Sequence, residues 1–193
     1  SIRETMRLRE TGRPVVITIP VNLRNYFPSG TARNFFGIIN LGYDFSRQED
    51  SIESVIAFVK EQFHKELTAE KLRERMNELS SLEHNLLTQL VPLIIKNPVL
   101  RLANYLAERG ITAAFSNVGK VAMPPEMARY IDSFQVFTST NRLQACMCSF
   151  GEHCVVSFSS PFVSTDIQRA FFRRLTAEGI TVEVTSNQEQ FGI

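Results

Sequence analysis

Apolar residues recur along this chain with two different periods, which separates strand-like from helix-like segments. Runs rich in β-branched and aromatic residues at 14–21 (PVVITIPV) and 35–45 (FFGIINLGYDF) predict two strands, joined by a loop over 22–34. After an opening helix and these two strands, apolar residues at helical spacing predict a helical block. The helices of this block, and one nearer the end of the chain, are predicted over 48–67, 68–87, 97–110 and 164–179.

The predicted helices of the block carry residues that are suited to capping. Asp50 or Ser51 can cap the first helix, and Thr68 can cap the second. Asn97 is the predicted N-cap of the third helix, with Pro98 in its first turn, where a missing N–H costs nothing. We therefore expect the third helix to begin at Asn97.

From residue 111 the strand pattern returns. Four runs, ITAAFS, DSFQVFTS, LQACMCSF and HCVVSFSS, predict a meander with hairpin turns at Thr140-Asn141 and Gly151-Glu152, and ITVEVT predicts a closing strand. We expect a single domain over 1–193 with an α/β fold. Its predicted architecture is a two-layer sandwich, in which helices pack on one face of a mixed, mostly antiparallel sheet.

Composition and charge exclude two classes of function. The 193 residues include 21 Lys and Arg against 20 Asp and Glu, so the net charge of +1 gives no electrostatic basis for nucleic-acid binding. No apolar run is long enough to cross a bilayer, so we predict no membrane span.

Three cysteines lie close together near the end of the predicted meander. Cys146 and Cys148 are two apart on one predicted strand and share a face, and an odd number of cysteines does not indicate a disulfide framework. A zinc site with His153 and Cys154 is disfavoured, because adjacent residues of a strand point to opposite faces. We expect buried, reduced cysteines, no metal and a cytoplasmic location.

Polar side chains stand at the ends of the first three predicted strands, whereas the histidines His64, His84 and His153 lie in no catalytic motif. Ligands of open α/β sheets collect at strand ends, where a hydroxyl and an amide can donate hydrogen bonds to a developing oxyanion. An arginine buried there requires a carboxylate partner. Turn-stabilising roles for the serine and asparagines are the alternative. The residues are Asn22 and Arg24 after the first strand, Asn34 before the second, and Ser116 and Asn117 after the third.

Three stretches of the chain resemble the C-terminal half of chloramphenicol-acetyltransferase-like acyltransferases. VVITIPVNLRNYFPSGTARNFFG (15–37) resembles a strand that ends in a PV-x-x-R element, followed by a G-N-x-x-G-like element. FSNVGKVAMP (115–124) resembles the SN-x-G-x-x-x-P segment, and CVVSFSSPFVSTDIQRAFFRRLTAEGITVEV resembles the closing strand, helix and strand. The resemblance covers about residues 13–186. The superfamily includes bacterial alcohol O-acetyltransferase-like proteins, wax-ester synthases and the condensation domains of nonribosomal peptide synthesis.

The resemblance implies transfer of an acyl group to an alcohol or amine, with acyl-CoA as co-substrate and no tightly bound cofactor. The family's general base belongs to a His-His-x-x-x-Asp motif in the N-terminal half, and this sequence has no such motif. We therefore expect the chain to be the C-terminal half alone, inactive by itself, with the N-terminal half of the same protein as its partner.

The resemblance also implies roles for five residues, which we call the predicted tunnel residues. Arg24 is expected to pair with the aspartate of the N-terminal motif. Ser116 and Asn117 are expected to line the substrate tunnel near the reacting carbonyl, and Asn34 to support that wall. Gly119 is expected to permit the close approach of a backbone. None of the residues in this chain is predicted to be catalytic.

Two other functions stay open at this stage. A half without catalysis can serve as a binding or dimerisation module, because an exposed half-tunnel leaves apolar surface that favours a second copy or another partner. The chain can also be part of a nonribosomal peptide condensation domain, which acts on carrier-bound acyl groups. A globular segment upstream that bears the histidine motif would favour the enzyme.

Overall fold

The structure is a computed structural model that describes residues 1–6, 12–84, 92–138 and 140–187. Within these ranges the chain forms helices, strands and one 3₁₀ turn. In chain order they are α1 (Ile2–Thr5), β1 (Val15–Asn22), the 3₁₀ turn (Leu23–Asn25), β2 (Phe36–Tyr43), α2 (Ile52–Glu66), α3 (Ala69–His84), α4 (Leu93–Arg109), β3 (Ala113–Lys120), α5 (Pro125–Ala128), β4 (Leu143–Phe150), β5 (His153–Ser159) and α6 (Asp166–Ala177).

The strands form one five-stranded mixed sheet in the order β2-β1-β3-β4-β5. β1 pairs with β2, and β4 with β5, in antiparallel fashion, whereas the pairings of β3 with β1 and with β4 are parallel. The predicted α/β fold with a mixed sheet is thus confirmed, although two of the four pairings, rather than most, are antiparallel. No helix in the described ranges has the length and apolarity that crossing a membrane requires.

Aromatic pairs connect the two outer strands of the sheet, β2 and β5, to helices α2 and α6. Alternate residues of β2 are buried, and Tyr43 packs edge-to-face on Phe58 of α2 with ring centroids 5.2 Å apart. At the other end of the sheet, Phe158 of β5 packs on Phe171 of α6 at 5.3 Å. The buried apolar side chains are those of Val15, Leu23, Ile39, Leu41, Tyr43, Leu72, Ala113, Leu143, Cys146 and Cys148.

Helix starts follow the predicted caps in two cases out of three. The Ser51 hydroxyl accepts a hydrogen bond from the Ser54 amide (3.1 Å), and the Thr68 hydroxyl accepts one from the amide of Lys71 (3.3 Å). The predicted start at Asn97 is wrong. The apolar residues that precede Asn97 extend the helical pattern, so α4 begins at Leu93 and holds Pro98 in its interior.

The expected meander is wrong, because β3 pairs directly with β4 and leaves no place between them for a strand over 132–138. This segment instead lies against β4. The Cys148 thiol donates to the Phe134 carbonyl (3.1 Å), and the rings of Phe134 and Phe150 are 5.0 Å apart. The turn at Thr140-Asn141 therefore closes no hairpin. Ser139, also part of the predicted strand, lies outside the described residues.

The hairpin at Gly151-Glu152 is confirmed, and Gly151 adopts the positive φ (+55°) that such a turn requires. The predicted closing strand ITVEVT (180–185) is wrong. A segment with alternating apolar residues forms a strand only where its backbone can hydrogen-bond to a neighbouring strand. This segment pairs with none of the described strands. The opening helix is confirmed over Ile2–Thr5, and the residues at 7–11 lie outside the description.

Candidate functional site

β1 and β3 begin as paired parallel strands and then part. The Val16 carbonyl accepts a hydrogen bond from the Thr112 amide (2.8 Å), and the Val16 amide donates to the Thr112 hydroxyl (3.1 Å), so the backbone of Val16 faces β3. By the period of two, Thr18 and Pro20 face β3 as well. Pairing ends at Thr18 and Ala114, because Pro20 has no N–H to donate.

An open pocket of about 280 Å³ occupies the space where the two strands have parted. Residues of β1, of the turn and loop that follow it, and of β3 form its walls, so segments distant in sequence meet here. Four of the five predicted tunnel residues are among them, and Gly119 is not. The lining residues are Pro20, Val21, Asn22, Arg24, Asn34, Phe35, Phe36, Ser116 and Asn117.

Arg24 holds the loop wall of the pocket in place. The Asn22 side chain accepts a hydrogen bond from the Arg24 amide (3.1 Å) and so caps the 3₁₀ turn. The Arg24 Nη2 donates to the carbonyls of Thr31 and Arg33, both at 2.8 Å. Arg24 was expected to be buried against a carboxylate. It is exposed, and no carboxylate within the described ranges pairs with it, because two main-chain carbonyls serve as its acceptors.

Ser116 and Asn117 lie within β3, opposite Cys146 and Met147 of β4, rather than after the strand as expected. The Ser116 hydroxyl has no hydrogen-bond partner in the described part of the chain. The Asn117 side-chain oxygen accepts from the Gly119 amide (2.9 Å), which is the turn-stabilising role that was the alternative. Its side-chain NH₂ group is left for a ligand.

Gly119 serves the backbone rather than a close contact. The register of β3 against β4 shifts between Asn117 and Gly119, and Gly119 has a φ of +82°. A Cβ built on Gly119 would meet no atom within 4 Å. No described part of this chain approaches Gly119 closely, and its positive φ in the bulge is sufficient to require a glycine.

The pocket is lined by both hydrogen-bond donors and apolar side chains. The hydroxyl of Ser116, the amides of Asn34 and Asn117, and the remaining N–H groups of the Arg24 guanidinium can all donate. Pro20, Val21, Phe35 and Phe36 supply the apolar surface. None of the lining residues is Asp, Glu, His or Cys. The arrangement can therefore bind a carbonyl or an oxyanion, and it contains no group that can accept a proton.

The residues expected to be structural are placed as follows. Cys146 and Cys148 are buried free thiols, as predicted, but Cys154 is exposed, because its position near the hairpin leaves it uncovered. Burial, followed by the nearby Cys154 and Cys146, raises the pKa of the Cys148 thiol. His64 and His153 are exposed, and the side chain of His84 lies outside the description. No group of His, Cys, Asp or Glu in the described residues could hold a metal ion.

The residues that sequence reasoning missed are the apolar part of the pocket. Phe36 begins β2 and Phe35 directly precedes it, and Pro20 lies in β1, which has β2 on one side and β3 on the other. A proline within a central strand was the available signal, because it marks a place where the ladder is interrupted.

A scan against protein-family models finds no match for this chain, and searches of the curated proteins and of the solved structures find no significant match either.

Proposed function

We propose that this chain is the C-terminal half of a CoA-dependent acyltransferase, which transfers an acyl group to an alcohol or amine. One observation carries the proposal. Arg24 and Asn34 come from one resembling segment, Ser116 and Asn117 come from another, and all four line one pocket. Two sequence motifs that were selected independently of any structure thus meet around a single space.

The donors of the pocket suit the transition state of acyl transfer. The tetrahedral intermediate carries a negative oxygen, and hydrogen bonds from fixed donors stabilise it. Ser116 and Asn117 are fixed by β3 and its bulge, and the loop that carries Asn34 is fixed by Arg24. The missing component is a base to deprotonate the acceptor, and in this proposal the N-terminal half supplies it. Loss of a general base costs about two to four orders of magnitude in rate.

The parted strands suit an acyl-CoA donor. Beyond Thr18, the backbone groups of β1 that face β3 have no strand partner there. The arm of coenzyme A that carries the acyl thioester is extended and contains amides, so it can hydrogen-bond to such groups. Acyl-CoA is therefore the proposed co-substrate.

The finer architecture and the location are also part of the proposal. Residues that pair across a sheet share a face, as do residues two apart on one strand. Tyr43 pairs with Val15, Ile17 with Ala113, and Ala145 with Phe158. Tyr43, which contacts α2, and Phe158, which contacts α6, therefore point to the same face of the sheet. This supports a two-layer sandwich with helices on one face. Three free thiols support a reducing, cytoplasmic location.

Release of free CoA from acetyl-CoA, in the presence of a panel of alcohols and amines, tests the proposal. This chain alone should show no turnover, and the native polypeptide that includes any upstream segment should show it. In that longer protein, Ser116→Ala should lower kcat about 10²-fold to 10³-fold, the cost of one oxyanion donor. Ser133→Ala, an exposed serine outside the pocket, is the matched control and should leave kcat unchanged.

The other outcomes point to the other functions. Turnover by this chain alone would overturn its assignment as an incomplete half. Activity only with carrier-bound acyl groups would identify a condensation domain. Absence of both turnover and thioester binding in the longer protein would leave the binding or dimerisation module.

A further inference from the structure

The two edges of the sheet are protected to different degrees. On the β2 edge, Arg75 of α3 donates from Nη1 to the carbonyl of Ile38 (3.1 Å). Ile38 pairs with Pro20, whose backbone faces β3, so the Ile38 carbonyl is one of those that point outward. A charged side chain that occupies an outward carbonyl blocks the addition of another strand.

The β5 edge has none of the usual protections. Its sequence, HCVVSFS, contains no Lys, Arg, Asp, Glu or Pro, and its register against β4 has no bulge. No other described segment forms a hydrogen bond with its outer backbone groups. Val155, Val156 and Phe158 have high strand propensity. An edge of this kind is suited to pairing with another strand.

The hydrogen-bonding pattern shows which residues of β5 offer groups at this edge. The Ser149 carbonyl accepts from the Val121 amide (2.8 Å), so the backbone of Ser149 faces away from β5. Cys154, its partner across the pair, must then direct its N–H and C=O away from β4. By the period of two, Val156 and Phe158 do the same.

We propose that β5 is a dimer interface, at which it pairs antiparallel with β5 of a second copy around a two-fold axis at Val156. The geometry is self-complementary. Val156 lies opposite Val156 of the second copy, and Cys154 lies opposite Phe158. Each of these pairs brings two outward N–H groups to two outward carbonyls. The strands carry no net charge that would oppose the contact. None of these residues lines the pocket, so the inference is independent of the proposed acyl transfer.

Sedimentation of the full chain over a concentration series tests this interface. The wild type should reach twice the 21.9 kDa of one chain. Val156→Pro removes the outward N–H of residue 156, which the dimer needs and which makes no hydrogen bond to β4. This variant should therefore sediment as a monomer. Val156→Ala shortens the same side chain but keeps the N–H, and it should remain a dimer.

Hydrogen exchange distinguishes loss of the interface from loss of the fold. In Val156→Pro, the amides of β4 should keep their protection. If that variant fails to fold, Cys154→Lys provides a second test, because it adds a charge to an exposed side chain beside the edge. A wild-type chain that stays monomeric at all concentrations overturns the proposal, even if the amides of Cys154, Val156 and Phe158 are protected, since a segment of the same chain would then cover them. A dimer that survives both substitutions overturns it as well.

Discussion

Replacement of Arg24 by alanine should loosen the loop wall of the pocket and lower the stability of the protein. The substitution removes two hydrogen bonds of 2.8 Å, to the carbonyls of Thr31 and Arg33. A typical hydrogen bond contributes about 0.5–1.5 kcal/mol net, and Arg24 is exposed, so we expect a loss of about 1–2 kcal/mol. In a protein of this size that corresponds to a decrease in Tm of about 2–8 °C. Lysine has a single ammonium group, so Arg24→Lys should recover part of the loss.

Urea unfolding measures the free-energy change, and hydrogen exchange of the amides over 31–35 locates it. Arg33→Ala is the matched control, because it removes an exposed arginine side chain from the same loop but leaves the main-chain carbonyl that Arg24 uses. The control should change stability by no more than about 0.5 kcal/mol. The reasoning is refuted if Arg24→Ala is as stable as the wild type with unchanged exchange, or if Arg33→Ala loses as much as Arg24→Ala.

Two further predictions concern the bulge glycine of β3 and the cysteines of β4 and β5. Gly119→Ala should cost about 1–2 kcal/mol in urea unfolding, because an L-residue is strained at a φ of +82°. Gly30→Ala, at a glycine without positive φ or close neighbours, should not destabilise the protein, and equal losses in both variants would contradict the backbone argument. In thiol labelling of the native protein, exposed Cys154 should react first, and buried Cys148, whose pKa is raised, should react more slowly and need a higher pH to form its thiolate. Equal labelling rates for the two cysteines would be inconsistent with this burial.

Elements that depend on local pattern were predictable from the sequence, and those that depend on a distant partner were not. The apolar run of β2 and the serine cap of α2 are local signals, and both elements appear as expected. The segment over 132–138 has a strand pattern but forms no strand, since nothing local reveals that β3 and β4 are direct neighbours. Similarly, the alternating apolar residues over 180–185 do not reveal whether a sheet edge lies within hydrogen-bonding reach of this segment.

The same division applies to the candidate site. The sequence identified Ser116 and Arg24 as polar residues near strand ends and, through the resemblance, as members of one site. Their meeting in space depends on the parallel pairing of β1 with β3, which is a non-local contact. Gly119 was selected for the space that a glycine leaves, whereas the structure shows a positive φ at this position, and either requirement favours glycine. Only the backbone angle distinguishes them.

The chemistry of the lining residues limits what the pocket can do by itself. Its donors can stabilise negative charge on an oxygen, and its one charged side chain, Arg24, has N–H donors and no acceptor. Acyl transfer to an alcohol or amine also requires removal of a proton from the acceptor, and a base must lie within hydrogen-bond reach of that proton. Since no lining residue can accept one, a base for this reaction must be brought to the open side of the pocket by another segment or another chain. A binding module has no such requirement. The proton acceptor is therefore the component that separates the two functions, and a histidine or carboxylate located opposite Ser116 in the assembled protein would decide in favour of the enzyme.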